Sequence, residues 1–172
     1  MSGKRPRWIH WSPKPRTFGP EFPRACRLQH GSKPEVGRPL WVSDENDYGW
    51  REWCNDEKFM LSNLAHAYEV TFKPSPRVLQ IGNREQLLEF TRVFLSQDPE
   101  FERYTSHALR TMFLDWGKIA AKFDAVLITP YQWESRLQDD CRWYYGWDCA
   151  SGVVMNPDCI DSWIDVSEEI KK

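Results

Sequence analysis

The chain has 172 residues, of which 41% are hydrophobic and 28% are charged, and its formal net charge is −2. This balance is typical of one compact domain and excludes a polycation built to coat nucleic acid. No apolar run approaches the about 18 residues of a membrane span, and the N-terminus lacks the apolar core of a signal peptide. We therefore expect a soluble, cytoplasmic protein.

The first 27 residues form a basic, proline-rich segment. They hold seven basic side chains, one acid and five of the twelve prolines, a local charge of +6 that leaves −8 for the remainder. Repeated prolines favour extended backbone. We predict an arm over 1–27 followed by a single domain over 28–172. The arm either pairs with the acidic body or contacts RNA, DNA or an acidic protein. Its rings (Trp8, Trp11, Phe18, Phe22) suit base stacking or anchoring to the body.

The rest of the chain mixes strands and helices without strict alternation. In chain order, we predict a strand over 39–43, a helix capped by Asp47, strands over 67–72 and 77–81, a helix beginning at Asn83, a helix over 115–123, and strands over 125–128 and 151–155. The helix after Asn83 presents an inward stripe of Leu87, Leu88, Phe90, Val93 and Phe94. The pattern predicts an α+β fold, with twisted mixed or antiparallel sheets and flanking helices.

The numbers of cysteines and tryptophans indicate which kinds of site to expect. Five cysteines, with no C-x-x-C pair, predict neither a disulfide framework nor a zinc knuckle, and no metal site is expected. Ten tryptophans exceed what a core of this size requires. Either several rings line a cleft for a flat ligand, or they buttress a small domain.

Three motifs follow one another along the chain: H-G-S at 30–32, L-W-V-S at 40–43 and G-W-R-E-W-C at 49–54. This succession resembles the NAD-binding half of ADP-ribosyltransferases of the poly-ADP-ribose polymerase type. In that family H-G precedes a G-x-Y-F-A/S strand and a helix with an aromatic residue and often a cysteine. The later runs at 123–131 and 143–156 are similar to proteins of phages and bacteria. The resemblance implies an ADP-ribosyltransferase-like fold with NAD as the substrate.

The resemblance also implies roles for individual residues. His30 would hydrogen-bond a ribose hydroxyl, the backbone of Gly31 would bind the nicotinamide carboxamide, and Ser43 would lie beside that amide. The family stacks a tyrosine on the nicotinamide ring, and this sequence offers Trp50 or Trp53 in its place.

The family's catalytic glutamate opens a late strand, and the matching place here holds Asp148 or Ser151. A carboxylate at this point stabilises the oxocarbenium character that develops as the bond between ribose and nicotinamide breaks. We predict Asp148, with His30, as catalytic residues and Glu134 as the reserve acid. The open alternative is that Asp148 caps a turn or pairs with an arginine such as Arg142.

Two functions remain open. The first is a mono-ADP-ribosyltransferase that modifies a protein or nucleic acid, with the basic arm positioning the target. The second is a non-catalytic module of the same fold, from a phage or bacterium, that binds a nucleotide or a protein as an accessory or anti-defence factor.

Overall fold

The structure is a computed structural model that describes residues 4–19, 30, 31, 33, 39–99 and 106–170. The boundary predicted between residues 27 and 28, the side chain of His30, and the residues Phe22 and Ser32 lie outside what it describes.

Nine strands are found in the described residues. They are β1 (Trp8–Ser12), β2 (His30–Gly31), β3 (Leu40–Asp44), β4 (His66–Phe72), β5 (Val78–Ile81), β6 (Leu114–Asp115), β7 (Ala125–Ile128), β8 (Ser151–Val154) and β9 (Ile160–Asp165). Seven of them form a curled, mixed sheet, a half-barrel, in the order β5-β7-β8-β3-β1-β4-β9. Among these seven strands, β5 and β7 pair in parallel, and the other neighbouring strands pair antiparallel. The short strands β2 and β6 pair separately. The mixed α+β architecture is therefore as predicted.

The helices of the described residues are α1 (Trp50–Glu57), α2 (Arg84–Phe94), α3 (His107–Arg110), α4 (Trp116–Lys122) and α5 (Ser167–Ile170). Short 3-10 helices span Leu61–Leu64, Trp133–Ser135, Asp139–Gly146 and Pro157–Cys159. Asn83 caps α2 as predicted, because its side chain accepts a hydrogen bond from the backbone N–H of Gln86 at 2.9 Å. The side chain of Gln86 in turn accepts from the backbone N–H of Gly82.

Three details differ from the sequence prediction. The N-cap of α1 is Gly49 rather than Asp47, whose carboxylate instead accepts from the backbone N–H of Tyr131 at 2.6 Å. Val93, predicted to face inward, is 53% exposed on α2. Trp8–Ser12 was assigned to the arm, but it forms β1, which lies inside the sheet between β3 and β4. Its alternation of large residues is a strand pattern that the surrounding prolines and cations obscured.

Two large apolar cores and a small one around Ile9 lie against the sheet. The larger one contains three tryptophans that are at most 1% exposed, Trp116, Trp143 and Trp147, packed with residues of α2 and α4. The Trp143 indole N–H donates to Thr91 Oγ1 at 2.7 Å, so its polar group is satisfied. A second core packs Trp8 and Leu40 against Val70 and Ile160. These buried rings show that much of the tryptophan excess buttresses the domain.

His10 is a buried histidine in the middle of the sheet. Its side chain lies on β1, is 8% exposed, and donates from Nδ1 to the carbonyl oxygen of Trp41 at 2.8 Å. The Trp163 ring lies 5.4 Å from the imidazole, measured between ring centroids. Burial lowers the pKa of His10 from 6.5 to about 4. The folded protein therefore holds this imidazole neutral.

We predict that His10 makes the fold acid-sensitive. Between pH 6.5 and about 4 the unfolded chain binds a proton that the folded chain does not, so the free energy of unfolding falls as the pH drops through this window. The expected loss is about 3 kcal/mol. Urea unfolding of His10→Asn across these pH values should show a weaker pH dependence. The exposed His107, changed to Asn, is the control and should behave as wild type; equal pH dependence in all three proteins would refute the assignment.

Candidate functional site

Several strand ends meet at one end of the half-barrel. Because β8 runs antiparallel to β3 and β7, its first residue, Ser151, lies beside both Ser43 and Ile128. Directly paired residues point to the same face of a sheet, so these three side chains form one row. Ser43 is 2% exposed, and its hydroxyl has no hydrogen-bond partner among the described residues. Buried hydroxyls are usually hydrogen-bonded, so Ser43 has hydrogen-bonding capacity left for a further polar group.

A turn at residues 44–49 closes this end of the sheet. Asp44 is 3% exposed, and its Oδ1 accepts from the backbone N–H groups of Arg7 and Asn46, each at 2.9 Å. Its Oδ2 accepts from the Thr129 hydroxyl at 2.7 Å, and its own backbone N–H donates to Ala150. The Asp44 carboxylate therefore fastens β3 to the segments that precede β1 and follow β7, and the Asp44 backbone N–H adds a hydrogen bond to the segment before β8.

The turn also requires a glycine. A Cβ at Gly49 would lie 2.6 Å from the carbonyl oxygen of Asp44, which is closer than real side chains approach. The neighbouring Tyr48 accepts, through its carbonyl, a 2.7 Å hydrogen bond from the backbone N–H of Ala150. The turn is thus held on both sides, and it sets the direction in which α1 leaves the sheet.

Asp148, the predicted catalytic acid, lies just before β8 and carries two cationic partners. Its Oδ1 lies 3.1 Å from Nη2 of Arg136, and its Oδ2 lies 3.8 Å from Nζ of Lys33. The open alternative, that Asp148 pairs with an arginine, is confirmed, with Arg136 as the partner; Arg142, the example named for it, donates to the carbonyl of Leu137. The carboxylate is about one quarter exposed, so it is open to solvent and to a ligand.

Arg136 is a site residue that the sequence analysis did not single out. Its guanidinium pairs with Asp148 and lies 5.6 Å from the centroid of the Tyr145 ring. Its Nε is buried and has no partner among the described residues. The sequence signal was only a cation between two aromatic runs, which is too common to identify a site.

Trp50 and Trp53 share a face of α1, as their spacing predicted. Their rings stack on each other with centroids 4.9 Å apart and an interplanar angle of 21°. The Phe59 ring meets Trp53 edge-on at 5.4 Å. Both indoles are half-buried. The outer face of the pair is where a flat ring would stack, since the inner faces are occupied by each other.

His30 and Gly31 lie in the small sheet, opposite Asp115 and Leu114, and not in the sheet that holds Ser43. Lys33 lies two residues beyond Gly31, and its ion pair with Asp148 brings the H-G segment toward the predicted acid. Glu134, the reserve acid, is exposed on a 3-10 helix. It lies two residues before Arg136, the arginine that holds Asp148.

The cysteines described by the structure, Cys54, Cys141, Cys149 and Cys159, are buried free thiols. Burial raises the pKa of Cys54 to about 11 and that of Cys149 to about 12, so neither is a thiolate nucleophile at neutral pH. Among the described residues, no group of three or more His, Cys, Asp or Glu side chains is placed to hold a metal ion. Nor does the described part of the chain contain a helix long and apolar enough to cross a membrane.

Comparison of the chain with protein-family models, with curated proteins and with solved structures finds no match in any of the three.

We predict that the Asp44 carboxylate is a major source of stability. Asp44→Ala leaves the Thr129 hydroxyl and the Arg7 N–H without their buried acceptor, so the free energy of unfolding should fall by about 3 kcal/mol. Urea unfolding measures the change. Glu57→Ala, at an exposed acid of α1, is the control and should stay within about 0.5 kcal/mol of wild type. An Asp44→Ala protein as stable as the control would contradict the role of the turn.

Proposed function

We propose that the protein binds NAD at the end of the half-barrel where Ser43, Asp148 and Ser151 gather, and transfers its ADP-ribose to a macromolecule. The observation that carries this proposal is the ion pair between Lys33 and Asp148. It links the H-G segment, where the family resemblance places the NAD-binding histidine, to the acid that the same resemblance places on the other side of the substrate.

The residues of this region fit the chemical groups of NAD. The unpartnered Ser43 hydroxyl is suited to the nicotinamide amide, which both donates and accepts hydrogen bonds. Arg136 and Lys33 together carry two positive charges against the one negative charge of Asp148, which leaves a net positive charge for an anionic pyrophosphate. The stacked pair Trp50 and Trp53 offers an aromatic face for a flat ring. His30 and the backbone of Gly31 keep the roles given by the resemblance.

Asp148 performs the central step in this proposal. As the bond from the ribose to nicotinamide breaks, positive charge develops on the sugar, and a nearby carboxylate lowers the energy of that state. The electron pair of the breaking bond leaves with nicotinamide. The acceptor then forms the new bond to the sugar carbon, and its proton moves to the carboxylate or to water. Arg136 keeps the carboxylate in place through the 3.1 Å contact.

A second candidate function rests on the same contacts. Both oxygens of Asp148 face cations, Oδ1 toward Arg136 and Oδ2 toward Lys33, which is also the arrangement of an acid that only organises a binding site. In this case the module captures a nucleotide or a protein without breaking a bond. This second candidate has the same fold and the same binding site as the enzyme, but it does not turn NAD over.

Incubation of the protein with radiolabelled NAD and cell lysate tests the proposal. Wild type should label macromolecules, and Asp148→Asn should lower the rate by ~100-fold because charge stabilisation is lost while the shape is kept. His30→Ala should weaken NAD binding. Glu85→Gln, at an exposed acid of α2, is the control and should retain the wild-type rate. Glu134→Gln tests the reserve acid: a loss as large as that of Asp148→Asn would move the catalytic role to Glu134.

The possible results separate the two candidates. Label transfer that survives both Asp148→Asn and His30→Ala would remove the site assignment. NAD binding measured by calorimetry without turnover would favour the non-catalytic module. Wild-type protein that neither binds nor cleaves NAD would overturn the proposed enzyme.

A further inference from the structure

Trp133 differs in exposure from Trp143 and Trp147, the two tryptophans that follow it in the chain. Trp133 is 55% exposed, whereas Trp143 and Trp147 are at most 1% exposed. Its ring contacts Tyr48, with centroids 4.9 Å apart and an angle of 50° between the planes. The Tyr131 ring meets the Trp133 ring edge-on, with centroids 4.6 Å apart. A held, exposed tryptophan is characteristic of a binding hot spot, since it offers a large contact area at little entropic cost.

Carboxylates lie near this ring pair, and one of them contacts it. The Tyr48 hydroxyl donates to Asp56 Oδ2 at 3.0 Å, and Glu52 lies one turn earlier on the same helix. Glu134 follows Trp133 in the chain. Among the described residues, none of these three carboxylates forms an ion pair. We call the set formed by Tyr48, Glu52, Asp56, Trp133 and Glu134 the acidic aromatic surface.

The arginines nearest to these carboxylates in the chain are engaged elsewhere, and Lys58, two residues after Asp56, forms no ion pair with a described carboxylate. Arg136 and Lys33 pair with Asp148, and Arg51 pairs with Glu45. Burial raises the pKa of Tyr48 to about 12. The hydrogen bond to Asp56 and the negative charge of Asp56 are the next largest causes of this rise. The surface thus combines exposed ring faces with negative charge that no described cation neutralises.

We propose that the acidic aromatic surface binds an arginine side chain of a basic protein partner. A guanidinium stacks on an indole face and pairs with carboxylates at its edge, so one arginine satisfies both features. A nucleic acid is disfavoured as the occupant, because its phosphates would meet three unpaired carboxylates. This inference goes beyond the proposed function, since binding at this surface requires neither NAD nor turnover.

Fluorescence anisotropy of a labelled peptide tests the proposal with the full chain. The probe is a flexible Gly-Ser peptide with two arginines, and its partner probe carries citrulline, the neutral isostere, at the same positions. Trp133→Ala should weaken binding of the arginine peptide by about 10-fold, and Asp56→Asn by about 3-fold. Tyr145→Ala is the matched control, because Tyr145 is 50% exposed but is flanked by Arg136 and Arg142. It should bind as wild type.

Each alternative occupant has its own result. Equal binding of the citrulline peptide would overturn the proposal, as would equal losses in Trp133→Ala and Tyr145→Ala. Tighter binding of a single-stranded oligonucleotide than of the arginine peptide, lost in Trp133→Ala, would identify nucleic acid as the occupant instead. A dimer in sedimentation that Trp133→Ala dissociates would make the occupant a second copy of this chain. Unchanged thermal midpoints of the variants would show that a loss of binding is not a loss of folding.

Discussion

The buried carboxylate of Asp44 is the constraint on which the rest of the structure depends. Burying a charge is costly unless it is fully hydrogen-bonded, and Asp44 accepts three hydrogen bonds, one from Asn46 in its own turn and two from distant segments at Arg7 and Thr129. The strands that meet there are neighbours in the sheet but distant along the chain. A single group therefore fixes both the register of the strand ends and the direction of α1, and with them the positions of Ser43, Trp50 and Asp148.

The tryptophans divide into two physical roles. Trp116, Trp143 and Trp147 contact one another in the larger core, where their area contributes to stability. Trp50, Trp53 and Trp133 keep part of their rings at the surface around the turn that Asp44 holds. The rings that face outward are thus placed by a rigid polar anchor, which lowers the entropic cost of binding to them.

Much of the fold could be predicted from local patterns. The strands β3, β4, β5, β7 and β8, and the helices that Asn83 and Asp115 cap, follow from periodicity and capping residues. β1 could not, because Pro6 and Pro13 next to it obscure a strand that is stabilised by partners on both sides. The role of Asp47 depends on Tyr131, 84 residues away, and no local pattern carries such a contact.

The same limit applies to the candidate site. The resemblance aligned Asp148 or Ser151 with an acid that opens a late strand; Ser151 is the first residue of β8, and Asp148 lies three residues before it. The partners of Asp148, Arg136 and Lys33, are set by the packing of loops. The exposure of Trp133 could not be predicted either, since most aromatic residues near it in the sequence are buried. Long-range contacts, rather than residue types, decide which polar groups meet at this end of the sheet.

The central claim is that the strand ends held by Asp44 form the ligand site. Nitrogen-15 NMR of the protein titrated with NAD tests it most directly, because every backbone and indole N–H reports separately. NAD should shift the amide signals of Ser43, Asp148 and Ser151 and the indole signal of Trp50 or Trp53. Shifts confined to the other edge of the sheet, at β4 and β9, or no shifts at millimolar NAD, would contradict it.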